Sequence, residues 1–452
     1  MKLEPLSQSE PIEVAIVGGG PAGLMAAEIL SELGHEVHLF DAMPSVGRKF
    51  LLAGKGGLNL THSEEPAKFL KRYADAQSHL EPLLTHWGAN ELRAWAASLG
   101  VETFVGTSGR VFPKEMKAAP LLRSWLNRLR HPRSNCPVHF HMRHRLSDIQ
   151  SSKLPNGQSA CELSFEVKDL STSLTKPIKV KTKAVLLALG GGSWSRLGSD
   201  GKWVAMLEAL GVPVQALESS NCGFHVAGRE GQGWTSLFKQ KFAGQALKSV
   251  VLQWTSPKGL VHRQQGEFVV TDYGVEGSLI YAASADLRQV LKQYGRVNVQ
   301  LDLLPGRTFE QTSKEAQHPR GSKSLSSHLK SRLGLEGVKI GLLNEFLRPE
   351  VLQNPESLSH AIKGLDIQLT ATRPMDEAIS TAGGVKWHGL QEKLQLQAMP
   401  GVFCAGEMLD WEAPTGGYLL TACMSTAVHA AKGLHAYLQE HASLESMSLF
   451  ER

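Results

Sequence analysis

Apolar residues follow two rhythms along this chain. Val14-Ala-Ile-Val17, Ala184-Val-Leu-Leu-Ala-Leu189 and Val402-Phe-Cys404 are short unbroken runs that end close to glycine. Such runs read as strands buried on both faces. Helical spacing appears at 24–33, where Gly34 ends the pattern, and at 118–129 and 419–438. It recurs over 65–99, through Phe69-Leu70-Tyr73 and the Leu92, Trp95, Leu99 set. Residues 138–183 alternate polar and apolar, which predicts an antiparallel meander with a hairpin at Pro155-Asn-Gly157. Residues 213–302 look β-rich, with strands over 249–254 and 267–271. Residues 305–367 are polar, basic and mostly helical, with helices over 324–333 and 339–346.

The first apolar run opens into Gly18-Gly-Gly-Pro-Ala-Gly23, with spacing G-x-G-x-x-G between a strand and a helix. Gly18 suits the tight turn, Gly20 lets a pyrophosphate approach the backbone, and Gly23 lets the helix pack close to the strand. A diphosphate at this helix N-terminus meets unpaired N–H groups and the positive end of the helix dipole. A second strand ends at Asp41, where a carboxylate would accept the ribose hydroxyls of an adenosine. The pattern therefore predicts dinucleotide binding. A second glycine loop follows, with Gly54, Gly56 and Gly57 and the polar Asn59 and Thr61. Such a loop brings backbone close to a neighbour, and a flat cofactor ring fits. Thr415-Gly-Gly417 starts the last helix with bare N–H groups, a suitable partner for the electron-rich edge of a reduced flavin.

Composition narrows the picture. The 452 residues carry a net charge of +5 and only five cysteines, without C-x-x-C spacing. No disulfide framework, thioredoxin-like pair or zinc site is expected, and a reducing cytoplasm fits. No run is long and apolar enough for a membrane span, and the first residues do not read as a signal peptide. Between Arg110 and Asp148 nine Lys or Arg stand against two acids. Such a stripe suits a polyanion such as RNA, or a solvated helix face near cofactor phosphates. His139, His141 and His144 are expected as strand-surface residues, since no acid or cysteine stands at ligand spacing beside them in sequence.

These motifs together resemble the BaiN/YhiN-like FAD-dependent oxidoreductases of the two-dinucleotide-binding type. The resemblance rests on Gly18 to Gly23, Gly47-Arg-Lys49, Gly54 to Asn59 and Gly109-Arg-Val-Phe-Pro113. It continues through Gly190 to Gly201, Gly266 to Thr271 with Tyr273-Gly274, Thr381-Ala-Gly-Gly384, Gly406 to Asp410, and Thr415-Gly-Gly417. It implies an α/β fold: a discontinuous Rossmann-like FAD-binding domain (1–212 and 371–452), an inserted β-barrel-like domain (213–302) and an inserted helical domain (303–370). It implies FAD as cofactor. Gly18, Gly20, Pro21, Ala22 and Gly23 would meet its pyrophosphate, and Asp41 and Ala42 the adenosine. Lys49, Gly54, Gly56, Asn59 and Thr61 would lie toward the ring. Gly190, Gly191, Gly406 and Glu407 would line the middle of the cofactor, and Thr415, Gly416, Gly417 and Tyr418 the flavin. Two departures stand out. Many relatives have Gly-Arg-Cys-Asn where this chain has Gly56-Gly-Leu-Asn59, and Thr-His followed by Gly-x-Ser-Gly-Pro where it has Thr271-Asp-Tyr-Gly-Val-Glu-Gly-Ser278. They mark a separate branch.

The expected activity is flavin-mediated hydride transfer to or from an unidentified substrate. No second G-x-G-x-x-G opens a βαβ unit, so NADH or NADPH would bind only transiently as donor. One branch of the family is associated with reducing uridine to dihydrouridine in ribosomal RNA, which makes RNA the alternative partner to a small molecule. A flavin-binding redox sensor is a third reading. Asp272, Tyr273, Glu276, Tyr281, Asp410, Glu412 and Tyr418 are the acid–base candidates, none with an assigned catalytic role. The sequence leaves the oligomeric state open.

Overall fold

The computed structural model describes residues 11–52, 56–154, 159–168, 175–228, 231 and 233–450, with side chains to residue 442. Gly54 and the hairpin expected at Pro155 to Gly157 lie outside the described residues. The chain forms two compact units, Met1–Glu218 with Thr381–Arg452, and Ser219–Ser380.

The first unit is built on a seven-stranded sheet. Ile12–Val17 lies between Val37–Asp41 and Thr175–Leu187, parallel to both. Val402–Cys404 runs parallel to Thr175–Leu187, and His139–Met142 parallel to Val37–Asp41. Ser159–Lys168 and His144–Lys153 add an antiparallel extension. The expected meander is therefore corrected at both ends. His139–Met142 joins the parallel set, and the apolar run from Ala184 is the end of the strand Thr175–Leu187. The first part of that strand alternates exposed and buried beside its antiparallel neighbour. From Ala184 to Leu187 it is buried throughout, between Ile12–Val17 and Val402–Cys404. One strand thus carries both signatures, because its surroundings change from half-solvated to fully covered.

The helix Pro21–Glu32 packs against the last helix, Tyr418–Phe450. Ala22, Ala26 and Ala27 on one, and Ala422, Ala427, Ala430 and Ala431 on the other, are buried. Small side chains here let the two axes approach closely while Leu24, Leu30 and Leu434 fill the flanks. Residues 65–99 are helical as expected, but in short pieces: Pro66–Leu70, the 3-10 turn Lys71–Ala76, Gln77–His86 and Ala89–Ser98. Gly109 has a positive φ and starts a strand, Arg110–Pro113, between Thr61–His62 and Thr103–Val105.

The second unit contains a closed six-stranded barrel of Phe224–Ala227, Gly274–Glu276, Val261–Val270, Ala246–Thr255, Val297–Asp302 and Leu365–Thr372, which leaves no open edge. Its last strand pairs with both Val297–Asp302 and Phe224–Ala227. The helices from Phe309–Ala316 to Pro355–Lys363 are therefore an excursion between two barrel strands. Their Leu329, Leu342, Leu358 and Ile362 share one apolar core with Phe224, Phe268, Leu301 and Leu369 of the barrel. The unit takes in 219–302 and 303–370, expected as separate β-rich and helical domains, and also 371–380, expected in the FAD-binding domain, while 213–218 fall in the first unit. No described helix is long and apolar enough to cross a membrane.

Candidate functional site

The glycine turn sits at the C-terminal end of the central strand. Gly18 has φ +109°, and a Cβ there would lie 2.2 Å from the carbonyl oxygen of Ala188. A Cβ on Gly23 would lie 1.8 Å from Gly18 O, so the helix can rest on the turn only with glycine there. Gly20 differs. It caps the helix at φ −79° and ψ −176° without a side-chain cap, and a Cβ there meets nothing within 4 Å. That open space belongs to a cavity of about 410 Å³ lined by Gly18, Gly20, Pro21, Ala22, Asp41, Ala42, Lys49, Gly190 and Glu407, among others. Nine of the residues singled out from sequence thus meet around one space.

Asp41 stands at its wall. Its carboxylate accepts from Gly19 N at 2.6 Å and Met43 N at 2.7 Å. A carboxylate has about four acceptor positions, so two remain for hydroxyl donors. Burial raises its pKa above the usual carboxylate value, against the pull of these two backbone bonds. On the cavity wall Lys49 Nζ donates to Glu407 Oε2 and to Ser193 Oγ, each at 2.7 Å. Glu407 Oε1 accepts from Thr381 N at 3.0 Å, and Thr381 Oγ1 accepts from Gly192 N and Ser193 N. Gly191 has no room for a side chain, since its Cβ would lie 2.3 Å from Thr381 Oγ1. Gly406 donates its N–H to Thr426 Oγ1 at 2.9 Å, and its Cβ would meet that of Ala22 at 2.8 Å. Gly23, Gly191 and Gly406 thus shape the backbone without lining the cavity.

Thr61, Gly416, Gly417 and Tyr418 form a second cluster. Gly417 has φ +102° and lies so close to Thr61 that a Cβ would sit 2.4 Å from its Cα. Thr421 Oγ1 donates to Gly417 O at 2.8 Å and lies 2.9 Å from Thr61 Oγ1. Tyr418 donates its hydroxyl to Glu64 Oε1 at 2.5 Å and its carbonyl accepts from the Tyr73 hydroxyl. Arg72 holds Glu64 through two bonds, at 2.8 and 3.0 Å, and lies over the Tyr418 ring. Burial and the adjacent Glu64 push the Tyr418 phenol well above its ordinary range. Gly416 also has a positive φ, and a Cβ there would lie 3.3 Å from the Tyr418 ring. Gly56 has open space at its Cβ position, whereas Gly57 is pressed against Met116 and Phe112. Leu58 and Leu60 donate their N–H groups to Met116 O and Val111 O. Asn59 between them has a buried Oδ1 without a partner.

Sequence reasoning missed several cavity residues. Arg145 and Asp200 form an ion pair at 2.7 Å, Trp203 donates to Gly190 O, and Cys423 faces the cavity with its thiol pushed up by burial. Ser199 also lines it, with an unpartnered buried hydroxyl. No local motif marks Arg145, Trp203 or Cys423, whereas Ser199 and Asp200 stand in the Gly190 to Gly201 stretch without an assigned role. Thr381 and Ser193 did stand in motifs, without a role.

Of the histidines expected on the strand surface, His139 is exposed, whereas His141 and His144 are half-buried. His38 is buried and stacks on His139 at 4.7 Å and on His141 at 5.1 Å, and His141 stacks on Phe40. Burial holds His38 and His144 below the usual imidazole value, and His141 at about 3. Among the basic residues of 110–148, Arg128 is paired with Glu28, Arg145 with Asp200 and Lys114 with Glu102. In the barrel unit Tyr273 donates to Glu276 at 3.1 Å beneath the Arg373 guanidinium, which lies 3.5 Å from its ring centre. Burial raises the phenols of Tyr273 and Tyr281. Asp272 lies 4.0 Å from Lys239. In the first unit burial raises Asp410.

Residues 12–433 match the family described as HI0933-like protein Rossmann domain. The chain belongs to this family. The family is one of flavin-dependent oxidoreductases, and the chain is an enzyme of that kind with an α/β Rossmann fold. A 3-dehydro-bile acid delta(4,6)-reductase of Clostridium scindens is 23% identical over 93% of this chain and 98% of its own. A ribosomal RNA dihydrouridine synthase of Haemophilus influenzae is 24% identical over 94% and 98%. Among solved structures, a 3-ketosteroid delta1-dehydrogenase from Sterolibacterium denitrificans matches with TM-score 0.48 and 13% identity, over 95% of this chain and 100% of that one.

Proposed function

We propose that the cavity and the Tyr418 cluster hold one FAD, and that the enzyme transfers hydride between it and a small molecule, with NADH or NADPH as transient donor. The observation that carries this reading is Gly20, a helix N-cap without a side-chain cap, whose Cβ position opens into the cavity. Two buried polar atoms without partners, the acceptor Asn59 Oδ1 and the hydroxyl Ser199 Oγ, support it, because buried polar groups are normally satisfied. Gly18 to Gly20 and the helix N-terminus would hold the pyrophosphate, and Asp41 the ribose. Lys49, fixed by Glu407 and Ser193, supplies a positive charge in the middle. Thr415 to Tyr418, with Asn59 and Thr61, would hold the ring. When bound, FAD supplies the electron and hydride chemistry. The chain's own part is to orient and to exclude water: the Tyr418–Glu64–Arg72 triad packs over the last helix's start and keeps the phenol protonated.

The ion pairs of Arg128, Arg145 and Lys114 remove three charges from the basic stripe, which favours a small molecule over RNA as substrate. The test is threefold. Purified protein should be yellow, with absorbance near about 450 nm; a colourless protein unable to take up FAD refutes the cofactor assignment. Anaerobic titration should bleach this band with NADH or NADPH. A deletion strain should keep the dihydrouridine content of its ribosomal RNA, and a loss there replaces the small-molecule reading with the RNA one.

A further inference from the structure

The edge of the main sheet brings His139 beside Glu36 and His38, about a hundred residues earlier in the sequence. His38 on Val37–Asp41 and His139 on His139–Met142 are direct partners in the parallel register, so their rings rise from the same face. Glu36 lies just before the first strand. One oxygen of Glu36 and one nitrogen each of His38 and His139 lie within 4.8 Å of one another. Glu36 Oε1 is already 3.0 Å from His38 Nε2. Two ligands of a tetrahedral zinc ion, at ordinary bond lengths, stand about 3.4 Å apart. Glu36 and His139 are exposed, so the carboxylate and the His139 ring, which stacks on His38 at 4.7 Å, have room to turn their donor atoms toward an ion.

We propose that Glu36, His38 and His139 form a binding site for a divalent transition-metal ion of the zinc class, open to water at a fourth position. Two imidazoles and one carboxylate select such an ion over calcium or magnesium, which prefer all-oxygen shells. A second observation points the same way. His38 Nδ1 is bonded to His141 Nε2 at 2.9 Å, and His141 is itself stacked against Phe40. The far nitrogen of His38 is thereby held by a neighbour, leaving Nε2 aimed at Glu36. Metal-binding histidines are normally oriented through their other ring nitrogen in this way. The backbone of Glu36 is also fixed, its N–H donating to Glu13 Oε2 at 2.9 Å. A bound ion would clamp the edge strand His139–Met142 to the strand that ends in Asp41. The site is independent of the flavin reading and uses none of its residues.

The test uses the full-length protein without a histidine tag, stripped with a chelator. Zinc is titrated against a chromophoric competitor, and cobalt(II) serves as a spectroscopic probe. The expected result is one equivalent bound per chain, with a visible cobalt band typical of four-coordination. Glu36→Gln and His139→Ala, both at exposed positions, should each weaken binding at least about tenfold. His318→Ala in the barrel unit should not change it. Circular dichroism checks that the variants fold. Absence of saturable binding near one equivalent overturns the proposal, and so does wild-type affinity in the folded Glu36→Gln and His139→Ala proteins.

Discussion

Replacing Gly20 and Gly23 separately by alanine divides cofactor binding from folding within one loop. The two glycines are three residues apart and belong to the same motif, yet their surroundings are opposite. At Gly20 the backbone is in a region open to any residue, and a methyl group meets nothing within 4 Å. Gly20→Ala should therefore leave the apoprotein close to wild type in stability, since a gain of about 0.4–1 kcal/mol from the reduced freedom of the unfolded chain is offset by the poorer helix cap. The same methyl group enters the cavity where the pyrophosphate would approach. Affinity for FAD should fall about tenfold or more, or roughly 1.4 kcal/mol. At Gly23 a methyl group lies 1.8 Å from Gly18 O, a backbone atom that cannot swing aside. The helix must lift from the turn, with a loss of about 1–3 kcal/mol or more, as for an overpacked core. Thermal melting of both apoproteins, followed by quenching titrations with FAD, gives the four numbers. The reasoning is refuted if Gly20→Ala binds FAD like wild type, or if Gly23→Ala melts with wild type.

Three further outcomes follow from the site. Asp41 carries a raised pKa in the apoprotein, and hydroxyl donors favour its ionised form; FAD affinity should be full above that pKa and fall on acidification before the ordinary carboxylate range is reached. Asp41→Asn should bind more weakly at neutral pH and lose this acid limb in titrations across pH 4–7. Thr381→Val keeps the shape but leaves the N–H groups of Gly192 and Ser193 without their acceptor, so urea melts should show a loss of about 2–3 kcal/mol. Lys49→Met strands the mostly buried Glu407 carboxylate, whose side chain is 12% exposed. Stability should drop by about 2–4 kcal/mol, and Lys49→Met with Glu407→Gln together should recover part of it in a double-mutant cycle.

Much of the first unit is legible locally. The run Val14 to Val17, the spacing of Gly18 and Gly23, the acid ending the second strand and the Thr-Gly-Gly start of the last helix all express constraints within a few residues. A positive φ, a close helix–strand contact and an uncapped N-terminus need only neighbours in sequence, so residue types and spacing suffice to predict them. Leu58 illustrates the limit: it stands where many relatives carry cysteine, and the structure shows it buried, with its N–H on Met116 O. What reacts beside the proposed flavin site is not written in that loop alone.

Tertiary structure decided the rest, because the deciding partners are remote. Lys49 meets Glu407 across 358 positions, and Thr421 meets Thr61 across 360. Composition and periodicity carry no record of such pairings. The barrel closes only when Leu365–Thr372 returns to Phe224–Ala227, so a pattern read in sequence order divides what one core unites. His139–Met142 shows the same effect: its alternation fits an antiparallel meander, but its place beside Val37–Asp41 is set by a parallel register. That register also brings Glu36, His38 and His139 together. By itself the sequence determined how each segment bends and which face it buries; only the folded chain determined which segments meet, since long-range contacts are chosen by the packing of whole elements.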